Sequence, residues 1–542
     1  MTRRTVLAAG TAAMVAARGA AGAERGEPTT AIETTSGRVR GMRAGGLSRF
    51  FGIPYGADTA KTRFLPPVAA TPWSGVRACN SLGAKTLQGS ITIPGVMGHI
   101  GPGAKALPIL MAVAAITDAR IPESEDCLVL NVITPDASHA KRRPVMVWLH
   151  GGGFAMGSGF DAMTDGSRLA ARGDIVHVSL NHRLSALGFL YLGALDPDFA
   201  DSGNVGMLDI VLALEWVRDN IAAFGGDPGN VTIFGQSGGG CKVSTLLGMV
   251  PAKGLFHKAI AQSGPAAWLV EKADAEAIAA GTLARLGLGR GDVKALQAMD
   301  PHKVIAAASA VQLPGEAITS RSLAPMVDGR SIPAHPFTPV ASPLSRDVAL
   351  MIGSCKDEAT LFLAGDPELG AMSEASARTR FAALMGPKGD AAYDVYRRAF
   401  PGDDPSYIVA AMLTDRMFRS GSAIEAERHA AAGGTTYMYR VDWEPRVADR
   451  ILRSPHGTEV PLVFGTRVPA AFVGTGPQVD HLVDVFMASW LAFVHHGDPS
   501  IPGLRWPRYE PHEKLNMIFD AECGVRADPD RIARDPVARG LA

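Results

Sequence analysis

Charge is scarce in this chain. Of its 542 residues, 20% are Asp, Glu, Lys or Arg and 47% are hydrophobic, which excludes a protein that is disordered over most of its length. Neither sign prevails, since 53 Lys and Arg face 53 Asp and Glu. The longest basic run is Lys141-Arg142-Arg143, so no field is present to attract nucleic acid. Cysteine is rare as well. The five, at 79, 127, 241, 355 and 523, contain no C-x-x-C pair and are odd in number. Neither a zinc site nor a dense disulfide frame is indicated, and at most two bridges could form. No apolar run reaches the roughly 20 residues that cross a membrane. There is no internal repeat or low-complexity tract. The 61 Gly and 37 Pro are spread along the chain rather than gathered into linkers. A length that suggests roughly three or four domains is therefore also compatible with one large domain.

The first residues read as an address. Arg3 and Arg4 precede an apolar, alanine-rich stretch over 6–17, and Ala21-Gly22-Ala23 offers small residues to a peptidase. This resembles a twin-arginine export signal over 1–23, with a mature chain beginning near Glu24. Arg18 and the shortness of the stretch argue against a stable membrane anchor. A disordered basic N-terminus without a targeting role is the alternative.

Beyond that address, short apolar runs rich in β-branched residues alternate with helical patterns. The runs at 144–150 (PVMVWLH), 175–180, 231–234 and 348–352 suit strands buried on both faces of a parallel sheet. Between them, Met207, Ile210, Val211, Leu214, Val217 and Ile221 recur at spacings of three and four, one stripe of a helix. A second such helix is predicted over 479–494. The alternation predicts an α/β fold with a mostly parallel sheet, whose ligands gather at the carboxyl ends of strands.

One turn stands out. Gly235-Gln236-Ser237-Gly238-Gly239 follows the run at 231–234 and opens a predicted helix over 240–249, the strand-to-helix setting of a nucleophile elbow. Flanking glycines would relieve crowding around a serine held in a strained conformation. The pattern alone is weak, with a chance expectation of roughly 0.4 in a chain of this composition. His150-Gly151-Gly152-Gly153-Phe154 supplies context, because it follows another strand and leaves backbone N–H groups unshielded, able to hold an oxyanion.

Several further motifs stand in a fixed order. They are Phe51-Gly52-Ile53-Pro54-Tyr55-Gly56, Glu125-Asp126-Cys127-Leu128-Val129-Leu130-Asn131-Val132, the HGGGF run, Asn181-His182-Arg183-Leu184 with Gly188-Phe189-Leu190, and Phe224-Gly225-Gly226-Asp227-Pro228. Later come Trp490-Leu491-Ala492-Phe493, Gly497-Asp498-Pro499 and Trp506-Pro507. Together they resemble a type-B carboxylesterase over nearly all of 24–542. The resemblance implies one large α/β-hydrolase domain, with Ser237 as nucleophile and an oxyanion hole from the N–H groups of Gly152, Gly153 and Gly238. Lys356-Asp357-Glu358-Ala359 resembles the acid segment and assigns that role to Glu358, with Asp357 as runner-up and Ala359 where glycine is usual. Nine of the 14 histidines follow Ser237, and composition cannot choose among them. The stretch from His456 to Gly465 resembles the family's histidine segment and selects His456. The order Ser237, Glu358, His456 is that of α/β-hydrolases.

These residue types suit acyl transfer. A serine hydroxyl needs a base to take its proton, and the base needs an acid to fix its tautomer. The expected reaction is hydrolysis of a carboxylic ester through an acyl-enzyme, with no metal or organic cofactor and a small-molecule ester as substrate. An amide, thioester or carbamate is the alternative bond, and a binding protein on the same scaffold a more distant one. Neutral Gln236 stands where many family members carry an acid, which disfavours cationic esters. Cys127 resembles a family half-cystine whose usual partner position reads Thr86-Leu87-Gln88. A Cys79–Cys127 bridge is left open, against two buried thiols. Ile91, Ile93, Val96, Met97, Ile100, Leu107, Ile109, Leu110 and Met111 suggest an apolar rim over the site, against a buried insertion.

Overall fold

The computed structural model describes residues 26–89, 101, 103–115, 121–266, 269–311 and 323–540. The expected export segment and Ile91, Ile93, Val96, Met97 and Ile100 of the expected rim lie outside the described residues. Twelve strands form the large sheet: Glu27–Pro28 (β1), Met42–Ala44 (β2), Leu47–Pro54 (β3), Val129–Thr134 (β4), Arg143–Leu149 (β5), Val176–Leu180 (β6), Gly226–Gln236 (β7), Lys258–Gln262 (β8), Ala349–Cys355 (β9), Thr436–Val441 (β10), Leu515–Phe519 (β11) and Gly524–Ala527 (β12). Their spatial order is β1-β2-β3-β4-β6-β5-β7-β8-β9-β10-β11-β12. From β6 to β11 every pairing is parallel. The outer pairings are antiparallel.

The expected strands are present, and the reason is visible in β5. Val145, Val147 and Leu149 enter one apolar layer while Met146 and Trp148 enter the other, so alternate side chains are buried on opposite faces. The expected run at 231–234 is the inner part of a longer β7, whose pairing with β5 shifts register between Gly226 and Val231. The helix Val205–Asn220 covers the first layer through Met207, Ile210, Val211, Leu214 and Val217. Pro477–His496 covers the second through Leu482, Phe486, Trp490 and Phe493, beginning on Pro477 and ending at Gly497 with φ 74°. A third apolar cluster, including Leu363, Phe381, Ile408 and Phe418, packs helices from 358–452 over the carboxyl ends of the strands. Leu107–Ala114 (α1) joins it through Ile109.

The bridge that the resemblance left open does not form. Cys79 and Cys127 are both buried and free. Cys79 is held by backbone bonds, its N–H to Arg40 O and its carbonyl from Phe51 N–H. The thiol of Cys127 instead faces Thr86, Asp209 and Arg183. Burial pushes both thiols up to about 12.

Candidate active site

Ser237 sits between β7 and the helix Gly238–Leu246 (α2), with φ 59° and ψ −125°. This strained conformation is fixed by its neighbours: Ser237 N–H donates to Gln262 O at 2.8 Å, and Cys241 N–H to Ser237 O at 2.9 Å. A Cβ on Gly239 would stand 2.0 Å from Leu149 O, so only glycine lets the helix start pack against the end of β5. Cys241, one helical turn past Ser237, is buried.

The glycine loop after β5 reaches the same point. Gly152 and Gly153 have φ of 87° and 61°. A Cβ on Gly238 would lie 2.1 Å from Gly153 O, which measures how closely the two backbones approach. The three expected oxyanion donors, Gly152, Gly153 and Gly238, are thus brought together beside Ser237.

Glu358 follows β9 and His456 follows β10, so all three triad candidates stand past the carboxyl ends of parallel strands of one sheet. His456 Nδ1 lies 2.5 Å from Glu358 Oε2. The other carboxylate oxygen, Oε1, accepts from Cys355 N–H at 2.7 Å, so the acid is anchored at both ends. Asp357 turns instead toward Ser454 and Lys356, so of the two acids it is Glu358 that meets the histidine ring. The His456 ring stacks on Phe418 at 4.6 Å, presented by a π-helical turn, Asp415–Arg419.

The remaining ring nitrogen, Nε2, faces the Gln236 side-chain amide at 3.2 Å. Among the described residues, the side-chain partners of the His456 ring are Glu358 and Gln236, and Ser237 Oγ is not one of them. An amide N–H meets a lone pair there, which matches a ring protonated on Nδ1 and basic on Nε2. Proton transfer from Ser237 needs that amide to give way, in line with catalytic hydrogen bonds that tighten only once substrate is bound.

A second buried acid stands behind the first. Glu459 accepts from the Cys355 thiol at 3.0 Å and from Ser263 Oγ at 3.4 Å. Burial, reinforced by the charge of Glu358, raises the Glu459 carboxyl above its usual range. Two residues escaped the sequence reading: Glu459, three positions after His456, and Lys242, buried within α2. The second had a signal, a lone lysine in the otherwise uncharged GGGCKVSTL. Among the described residues no group of three or more His, Cys, Asp or Glu side chains could hold a metal. No described helix is long and apolar enough to cross a membrane.

Against known proteins, the profile described as the Carboxylesterase family matches residues 28–530. The chain belongs to the carboxylesterase family. This carboxylesterase is 32% identical over 510 residues to the para-nitrobenzyl esterase of Bacillus subtilis (strain 168), covering 92% of this chain and 96% of the relative. It is also 32% identical over 506 residues to the phenmedipham hydrolase of Pseudarthrobacter oxydans, covering 90% and 94%. Among solved structures, a Geobacillus stearothermophilus carboxylesterase matches with TM-score 0.80 at 34% identity, over 93% of this chain and 99% of that one. The α/β-hydrolase fold and ester hydrolysis expected from the sequence therefore hold for this enzyme.

Proposed function

We propose that this carboxylesterase cleaves small-to-medium apolar esters with Ser237 as nucleophile, His456 as base, Glu358 as its orienting acid and the N–H groups of Gly152, Gly153 and Gly238 as the oxyanion hole. The 2.5 Å contact between His456 Nδ1 and Glu358 Oε2 beside a strained Ser237 carries the assignment. Ser237 Oγ attacks the ester carbonyl as its proton passes to His456 Nε2. The imidazolium is stabilised by Glu358 and returns the proton to the leaving alcohol. Water, activated by the same ring, then cleaves the acyl-enzyme.

An apolar substrate is supported by α1, whose LPILMAVA carries no charge and leaves Met111 60% exposed, and by Phe362 and Phe418 against the His456 ring. Labelling with a fluorophosphonate followed by peptide mass spectrometry tests the nucleophile. The label is expected on Ser237 and absent in Ser237→Ala, and a folded wild type that takes no label overturns the assignment. A profile of kcat/KM that rises with acyl chain length is expected, and a flat one removes the apolar preference. Matched ester, amide, thioester and carbamate substrates rank the bonds.

The Arg3-Arg4 pattern supports export as a second element of the reading. Replacing both arginines with lysine is expected to retain the enzyme in the cytoplasm, as read by fractionation.

A further inference from the structure

Behind the oxyanion loop lies a buried group of bases with no acid among them. Lys242, five residues past Ser237 on α2, is fully buried. Its Nζ donates to His150 O at 2.9 Å and stands 5.6 Å from the centre of the Phe154 ring. His150 is the first residue past β5 and the root of the glycine loop, so Lys242 satisfies the first carbonyl beyond the strand. The His150 ring stacks on His182, with centroids 5.0 Å apart.

This cation differs from the other buried ones. Arg183 is paired with Asp209, Arg63 with Glu125, and Arg419 with Asp415 and Asp530. Among the described residues, no carboxylate forms an ion pair with Lys242. An ammonium taken out of water without a counter-charge is unfavourable, and an apolar side chain of the same length would fill the space without that penalty. A negative charge that forms nearby in the working cycle would compensate it. Acyl transfer creates a negative charge on the substrate oxygen, at the loop that Lys242 holds by its root.

We propose that Lys242 is a positioning residue of the oxyanion hole, its amine fixing the His150 carbonyl at the root of the glycine loop and its positive charge offsetting the charge that develops on the substrate oxygen. The proposal rests on Ser237 as nucleophile.

It has a pH signature. Burial pulls the Lys242 amine down to about 7, so the free enzyme loses this charge as the solution turns alkaline. His150 and His182 face Lys242, and burial together with its charge holds both well below the usual histidine range, leaving them neutral. Arg183, beyond His182, stays charged on Asp209. On the same helix Cys241 is pushed up by burial. Glu425 packs against α2 through Ser244 and is held up to about 8 by burial, so it titrates in a neighbouring range. Glu425→Gln is therefore the control.

The test is kcat and KM for phenyl butyrate, followed by titration of released acid between about pH 6 and about pH 10, in wild type, Lys242→Met, Lys242→Arg and Glu425→Gln. In wild type, kcat/KM is expected to fall on the alkaline side, and to do so equally in Glu425→Gln. At about pH 6.5, Lys242→Met is expected to lose about tenfold or more in kcat with KM within about twofold, and to lack the alkaline fall. Lys242→Arg, charged throughout, keeps its activity into the alkaline range. Should Lys242→Met fail to fold, Lys242→Arg decides alone. An alkaline fall that is missing in wild type, that persists in either Lys242 variant, or that disappears in Glu425→Gln overturns the proposal. So does a loss of kcat in Lys242→Met that is the same at every pH. Fluorophosphonate labelling of wild type reports separately on Ser237.

Discussion

Across Ser237 the enzyme presents two buried faces of opposite character. On the side of the base stand Glu358, Glu459, the Cys355 thiol and His456, linked through Cys355, whose N–H bonds Glu358 and whose thiol bonds Glu459. On the side of the glycine loop stand Lys242, His150 and His182, with no acid. In the proposed reaction the first face accepts an imidazolium and the second an oxyanion. Each is built beforehand with the sign that the transition state lacks, so little reorganisation is needed when charge appears. Glu459 shows the limit of this arrangement: two carboxylates in one dry site repel, and burial with the charge of Glu358 drives Glu459 toward its neutral form.

The comparison breaks most severely on the acidic face. Glu358→Gln keeps the shape but replaces a pure acceptor by an amide that can hold the ring in the wrong tautomer, and kcat is expected to fall by about 10⁴-fold with an unchanged circular dichroism spectrum. On the opposite face, Gly152→Ala forces a side chain onto a residue at φ 87°, with its Cβ 2.3 Å from Met156 O. The loop has to move, and the loss of one oxyanion donor lowers kcat by about 10²–10³-fold, roughly 3–4 kcal/mol. Steady-state kinetics on the two variants compare the faces directly.

A smaller effect lies beneath them, in Glu425. Ser244 Oγ donates to its carboxyl at 2.8 Å and Ala266 N–H donates to the other oxygen. Burial holds the folded carboxyl up to about 8, above its ordinary value of 4.5. Between those values the unfolded chain releases a proton that the folded chain keeps. Stability is therefore complete below the window and falls as pH rises through it, by about 1.4 kcal/mol per pH unit. Lys242 has the opposite sign. Its folded pKa is depressed to about 7, so its contribution to stability grows as pH rises above that value. Urea unfolding across this range is expected to show the Glu425 slope in wild type and to lose it in Glu425→Gln.

Much of this was legible in the sequence. The parallel strands announce themselves because burial on both faces demands uninterrupted apolar, β-branched runs, as in β5 and β6. The antiparallel edge does not, since Met42–Ala44 is short and half exposed and its pairing depends on a distant partner. Ser237, Glu358 and His456 stand out in the sequence because acyl transfer asks for these types, neighbours and order. Lys242 was missed because a lysine in a sequence reads as a surface residue until packing shows it enclosed. The Cys79–Cys127 bridge failed for a related reason: a thiol's partner is set by which side chain faces it, and that side chain is Thr86.

The finest test concerns Gln236, which stands between the two faces. Its amide meets His456 Nε2 at 3.2 Å, while a Cβ on Gly151, in the oxyanion loop, would lie 3.5 Å from its Oε1. The side chain thus bridges the basic ring and the loop without adding charge to either. Gln236→Glu places a further carboxylate on the acidic face, where it accepts from the protonated ring and favours that form. The same charge raises the ratio of kcat/KM for a cationic ester over its neutral isostere by several-fold, an effect that weakens with added salt. A ratio that stays in place would mean that a charge at position 236 is not felt by the substrate, and the contrast between the two faces would then be set by Glu358 and Lys242 alone.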